Sequence, residues 1–260
     1  MTNLIEEEYS DHIARLTLNR PDQRNALSIE MCDEIAGAVH QVDFRSEIRC
    51  VVLAGAGDVF CAGADLSAVS GPHGVNFVGP FERMLERVAR CRVPVIAAIQ
   101  GAALGGGLQL ATACDFRIAT TTATLGIPSS RLGVVVNFEN VRRLTLLVGF
   151  SVTKEILMAG RTFSGPEARE AGLINEWVEG DLAEASERWS RDIAALAPLS
   201  VQGAKRSLEV LADHIGDARR SAPDDVARLD ALVKGAYESA DLKEGLTALR
   251  EKRPSNFQGR

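Results

Sequence analysis

The chain has 260 residues, of which 46% are hydrophobic and 25% charged. That composition builds one large globular domain, or one domain with an appendage, and excludes disordered and collagen-like chains. With 29 Lys and Arg against 35 Asp and Glu the net charge is −6, so bulk charge does not draw nucleic-acid backbones and no nucleic-acid partner is expected.

The first residues, Met1 to Glu8, carry neither a basic stretch nor a long apolar run, so no secretory leader is expected. His12 to Leu18 alternates, with Ala14, Leu16 and Leu18 on one face, and reads as a strand ended by the turn Asn19-Arg20-Pro21-Asp22. Ser28 is placed to cap a helix whose stripe is Ile35, Ala38, Val39 and Val42. Ile48 to Ala54 is a short apolar strand closed by Gly55-Ala56-Gly57, and the glycine- and proline-rich run from Gly71 to Pro80 reads as a mobile loop. Phe81, Met84, Leu85, Val88 and Ala89 mark the next amphipathic helix. Val93 to Ile99 is apolar on both faces, which suits a buried strand, and it runs into Gly101 and the triplet Gly105-Gly106-Gly107. Leu108 to Ala113 follows as a buried helix, then short strands at Phe116 to Ala119 and Thr122 to Leu125. A helix from Val152 to Ala159, one opened by Pro166 and ended at Gly172, and a strand from Leu173 to Val178 come next. After Asp181 the pattern is wholly helical, with Pro198 separating one helix from the next. Such a helical end packs either outward, on a partner or neighbouring subunit, or on its own core.

No apolar stretch reaches the roughly 18 residues of a membrane span; the richest, Val93 to Leu104, is broken by Gln100 and Gly101. Cys32, Cys50, Cys61, Cys91 and Cys114 are scattered and odd in number, with no CxxC or HExxH, so neither a disulfide framework nor a metal site is expected. A cytoplasmic location is the expectation.

The glycine triplet after a buried strand is the strongest chemical feature. It lets a ligand lie against backbone, and the helix behind it offers unpaired N–H groups of partial positive charge, suited to an oxyanion or phosphate. Neither GxxxxGK[ST] nor GxGxxG is present, and close helix packing is the equal alternative. A second small-residue turn, Phe60-Cys61-Ala62-Gly63-Ala64-Asp65-Leu66, could converge with it on one carbonyl oxygen.

With their surroundings these turns resemble the crotonase (enoyl-CoA hydratase/isomerase) superfamily. The resemblance rests on Asn19-Arg20-Pro21, Asn25-Ala26-Leu27, the segment 60–66, Pro94 to Gly101, the glycine triplet, Cys114-Asp115, Gly165 to Ala168 and Ala171 to Ile174, in order along the whole chain. It implies an α/β fold, a crotonase-like spiral of ββα units over residues 1–197, with a C-terminal helical trimerisation region over 198–260. It further implies an acyl-CoA thioester as ligand, no other cofactor, and a homotrimer or dimer of trimers. Matched residue by residue, the N–H groups of Ala64 and Gly106 form an oxyanion hole, and Arg24, Ala26, Ala62, Asp65 and Leu66 line the coenzyme A path, with Arg24 facing its phosphates.

One departure matters. Hydratases of this family use two glutamates, and the matching positions here are Gln109 and Ser129. An amide does not titrate near neutrality and an unassisted hydroxyl is a poor base, so hydration is expected to fall by powers of ten. The non-standard acid or base to consider is Glu139; Asp115 reads as structural. Leu108-Gln109-Leu110, Val141 to Leu144 and Glu251 to Gly259 are similar to an actinobacterial subgroup lacking both glutamates, which resembles fatty acyl-CoA binders of lipid synthesis. The alternative is an active hydratase or isomerase working through Glu139.

Overall fold

The computed structural model describes residues 4–66, 74–215 and 223–258. Strands β1 (Ile5–Ser10) and β2 (Ile13–Leu18) form an antiparallel hairpin. Its two turn residues, Asp11 and His12, both have positive φ, as a tight two-residue loop demands. Helix α1 (Ile29–Asp43) starts at Ser28, whose hydroxyl accepts the Met31 N–H at 3.2 Å, and it buries the stripe expected of it. Next come β3 (Cys50–Gly55) and α2 (Val78–Ala89), which buries Phe81, Met84, Leu85 and Val88. The expected loop is shorter than Gly71 to Pro80: residues 74–77 form a 3-10 turn and 78–80 already belong to α2, while 71–73 lie outside the described residues. Pro80 fits there because a first-turn N–H has no helical acceptor to lose.

The middle of the chain supplies β4 (Val95–Ile99), β5 (Ala102–Leu104), α3 (Gly106–Ala113), β6 (Phe116–Thr120) and β7 (Thr124–Gly126). Then follow α4 (Phe138–Leu157), β8 (Thr162–Ser164), α5 (Gly165–Glu170) and β9 (Glu176–Val178). Helices α6 (Leu182–Ala194), α7 (Pro198–His214), α8 (Pro223–Glu238) and α9 (Ala240–Glu251) close the chain. One sheet has the order β1-β2-β3-β4-β6-β9, parallel except for the β1–β2 hairpin, and a second has β5-β7-β8. The parallel strands are buried on both faces. Ala14, Leu16, Val51, Leu53, Val95 and Ala97 face the main core with α1 and α2. Ile13, Cys50, Val52, Ile96, Ala98 and Ile118 face the other way, under Ala185 and Ala194 of α6.

Helix α4 starts fourteen residues before the expected Val152. Asn137 caps it, accepting the Asn140 N–H at 3.0 Å, and Gly149 (φ 73°, ψ 171°) interrupts it, so only the stretch beyond the interruption carries the plain helical pattern. Helix α7 is tied to the sheet by Lys205, which is 7% exposed. Its Nζ donates to Asp115 Oδ2 at 2.7 Å and to the Val93 carbonyl at 3.0 Å, and the same carboxylate oxygen accepts the Val95 N–H at 2.7 Å. Asp115 is thus a structural residue, as its place in the sequence suggests. Among the described residues no helix is long and apolar enough to cross a membrane. Lys205→Met should lower stability by about 1–3 kcal/mol, read from the urea midpoint, because Asp115 and the Val93 carbonyl lose a charged donor in the interior; an unshifted midpoint would mean that the pair does not anchor α7.

Candidate functional site

Segment 61–65 is held on both sides by backbone. Toward the loop before α1, Ala62 N–H donates to the Arg24 carbonyl at 3.0 Å, Leu27 N–H to the Gly63 carbonyl at 2.8 Å, and Asp65 N–H to the Leu27 carbonyl at 2.8 Å. Toward β5, Cys61 N–H donates to Ala102 at 3.0 Å and Leu104 N–H to Cys61 at 3.1 Å. Asn25, fully buried, keeps the loop in shape: its Nδ2 donates to the carbonyls of Ala56 and Val59, and its Oδ1 accepts the Arg20 N–H.

This threading brings two peptide groups together. Gly63 and Gly105 both have positive φ (108° and 54°), and each turns the peptide that follows it, so the amides concerned are those of Ala64 and Gly106. A Cβ placed on Gly63 would lie 3.4 Å from the Gly106 nitrogen, and one on Gly106 would lie 3.4 Å from the Ala64 nitrogen. Neither N–H donates to an acceptor among the described residues, and Gly106 opens α3, where the helix leaves its first N–H groups unpaired and the dipole is positive. The other end of α3 meets a buried cation. Arg117, 3% exposed, donates to the carbonyls of Ala111 (3.3 Å), Cys114 (2.7 Å), Asp115 (3.4 Å) and Leu173 (2.9 Å), with no salt-bridge partner among the described residues.

Both amides open onto a cavity of about 910 Å³. It takes in Arg24, Ala26, Ala62, Ala64, Asp65, Leu66, Gly106, Gln109 and Ser129, so all the expected site residues except Glu139 line one space. Gln109 is the single residue of α3 that is not buried, and neither its amide nor the Ser129 hydroxyl has a hydrogen-bond partner among the described residues. The Arg24 guanidinium is exposed and makes no ion pair there, whereas Asp65 is taken up by Arg20 at 3.0 Å. Cys61 backs the site as a fully buried thiol that burial pushes up to about 12, so it stays protonated and inert.

Glu139 is placed elsewhere. It points away from the cavity into an arginine pair, accepting from Arg142 at 2.6 and 2.9 Å and lying 3.6 Å from Arg143. The carboxylate that does line the cavity, besides Asp65, is Glu82 of α2, which takes a hydrogen bond from Asn137. The sequence offers no sign of this, since Glu82 reads as an ordinary charged residue on the outer flank of an amphipathic helix. The C-terminal helices also contribute to the wall, through Val233 and Tyr237 of α8 and Leu242, Leu246 and Leu249 of α9. That contribution was equally illegible, because nothing local ties a late helix to a glycine turn 130 residues earlier.

The close packing of α3 against segment 61–65 is testable. A Cβ on Gly107 would lie 2.2 Å from the Cys61 carbonyl oxygen, whereas one on Gly105 meets nothing within 4 Å and suffers only its positive φ. Gly107→Ala should therefore cost about 3 kcal/mol of stability and Gly105→Ala about 1 kcal/mol, measured by chemical denaturation; the reverse order would contradict the threading.

Comparison with known proteins points to one family. The enoyl-CoA hydratase/isomerase family model matches residues 8–260. YngF of Bacillus subtilis (strain 168), whose name assigns it to enoyl-CoA hydratase/isomerase, is 37% identical over 259 residues, covering 96% of each chain. EchA6 of Mycobacterium tuberculosis (strain CDC 1551 / Oshkosh), named for enoyl-CoA hydratase, is 35% identical over 254 residues, covering 96% of this chain and 97% of its own. Among solved structures, methylmalonyl-CoA decarboxylase in complex with 2-nitronate-propionyl-CoA superposes with a TM-score of 0.90 at 26% identity, over 100% of both chains.

Proposed function

Because the chain belongs to the enoyl-CoA hydratase/isomerase family, we propose that it holds a fatty acyl-CoA thioester in this cavity without the acid–base pair that hydration requires. The observation that carries the reading is the convergence of two unspent peptide N–H groups, from Ala64 and Gly106, on a largely apolar space. A thioester carbonyl placed there accepts from both, at the positive end of α3, and enolate-like charge on that oxygen is the charge such donors stabilise best. Arg24, exposed beside the cavity and without an ion pair among the described residues, supports the coenzyme's phosphates.

Gln109 and Ser129 stand at the two places where the family's hydratases carry glutamates. Each can hydrogen-bond water or ligand, but neither takes up and releases a proton at neutral pH. Glu139 does not replace them, being neutralised by Arg142 and Arg143 away from the cavity. These residues support grouping the chain with glutamate-lacking members that bind acyl-CoA for lipid metabolism, the finer assignment that the sequence pattern suggests.

Titration calorimetry with long-chain acyl-CoAs should give micromolar binding, while hydration of a short enoyl-CoA stays about 10²–10⁴-fold or more below a glutamate-bearing relative. Robust turnover by the unaltered protein would overturn the reading. Arg24→Ala should weaken affinity by up to about fivefold at low salt, and less as salt rises. Glu139→Gln should change neither binding nor turnover. The paired change Gln109→Glu and Ser129→Glu should restore measurable hydration if the geometry of the pocket is otherwise intact.

Assembly follows the same reading. Leu199 (84% exposed), Leu208 (65%) and Leu211 (54%) of α7, with Leu232 (60%) of α8, present apolar surface that a lone chain leaves in water. This supports subunit packing through the region 198–260 into a trimer or a pair of trimers. Sedimentation should show three or six copies, and Leu208→Glu with Leu211→Glu should shift the protein toward the monomer.

A further inference from the structure

Main-chain hydrogen bonds set the order of the segments that line the cavity. Segment 24–27 pairs with 61–65, and Leu104 N–H donates to the Cys61 carbonyl at 3.1 Å. On the far side of β5 lies β7, with Leu104 standing opposite Gly126 and Gly105 N–H donating to the Gly126 carbonyl at 2.8 Å. Ile127, Pro128 and Ser129 follow β7 along the same wall, and Leu132 and Gly133 then touch α9. From Arg24 to α9 the order is therefore 24–27, 61–65, 104–106, 126–129 and 132–133, with the Ala64 and Gly106 amides between the second and the third. The two substituents of a thioester carbonyl leave it on opposite sides. With the coenzyme running to Arg24, the acyl group runs across 126–129 toward α9.

That margin is apolar, for Ile127, Leu242 and Leu246 line it and are all buried. It is also fixed. A Cβ on Gly245 would lie 2.6 Å from the Leu132 carbonyl oxygen, and one on Gly133 would lie 2.9 Å from the Leu242 nitrogen, so α9 and the 132–133 turn meet backbone to backbone. Ser239 caps α9 by accepting the Leu242 N–H at 3.0 Å. The chain beyond the helix folds back on it, Asn256 N–H donating to Glu244 at 2.8 Å and Gln258 N–H to Asp241 at 2.7 Å. Leu242 is pinned through its own backbone against Gly133, and Leu249 opens to solvent. Leu246, one turn from Leu242 on the same face, is the buried side chain left to close the path. A wall of this kind rewards each methylene that reaches it by burial and opposes the next by overlap.

We propose that α9 is the stop of the acyl path and that Leu246 sets the length of chain the site accepts. The proposal rests on the acyl-CoA reading of the cavity and adds the residue that selects among acyl groups.

The test is calorimetric titration of the full chain with saturated acyl-CoAs from butanoyl to octadecanoyl. Affinity should rise by about twofold or more per methylene and then level or fall beyond one chain length. Leu246→Ala should move that break to chains longer by about two carbons, and Leu246→Phe to shorter ones by a similar amount. Each variant is checked for an unaltered circular-dichroism spectrum, and its affinity for butanoyl-CoA, which reports the grip on the thioester alone, should stay within about threefold. A series without a break, a break that neither variant moves, or a loss equal at every length overturns the proposal while leaving the thioester reading standing. Failure of every chain length to bind overturns both.

Discussion

The structure turns on how closely one extended segment is threaded between two others. Residues 61–65 exchange main-chain hydrogen bonds with 24–27 on one side and with 102–104 on the other. The approach is tight enough that Gly107 could carry no side chain without striking the Cys61 carbonyl. Glycines at 63 and 105 bend the backbone where each stretch leaves its neighbour. The result is a pair of peptide groups whose direction is fixed by secondary structure rather than by side-chain rotamers. Such donors need no reorganisation when a carbonyl arrives, which is the physical basis for proposing a thioester there.

What surrounds these donors separates holding a ligand from transforming it. In the proposed reading, Gln109 and Ser129 keep the polar character of a water site but cannot exchange protons with it. Two ionisable groups near the ligand space are engaged, Asp65 by Arg20 and Glu139 by its arginines outside, while Glu82 lines the cavity with a single hydrogen bond from Asn137. The inner wall is completed by α8 and α9, so the chain's last helices shape the ligand space as well as presenting apolar surface outward.

Much of this was legible in residue order, for reasons that differ from element to element. Strand β2 alternates with a period of two, β4 is apolar throughout, and α1 and α2 carry one buried stripe, so pattern alone locates them. The two glycine turns were legible because glycine is itself the signal of a backbone doing something unusual. Three short or edge elements left no such trace. In β1 only Ile5 is buried while Glu6, Glu7 and Glu8 lie exposed on the sheet edge; β5 and β8 span three residues each, too few for a period to show. The start of α4 was hidden by Arg142 and Arg143, which are drawn inward by Glu139 and Asn140, so charged residues occupy positions that a helix stripe would give to apolar ones. The wall contributed by Tyr237 of α8 forms only because that helix packs on the 74–77 turn, α4 and α9, and no local rule reports a tertiary meeting of that kind.

Arg117 sits under the far end of α3, its guanidinium shared among main-chain carbonyls rather than matched with an acid. A guanidinium keeps its proton throughout the range in which cells live, and peptide nitrogens never lose theirs. Helix α3 is therefore bracketed by groups indifferent to acidity: a permanent cation at its foot and permanent dipoles at its head. A carbonyl gripped at that head would be held with the same strength in acid solution as in neutral, leaving any sensitivity to proton concentration to the side chains farther along the wall.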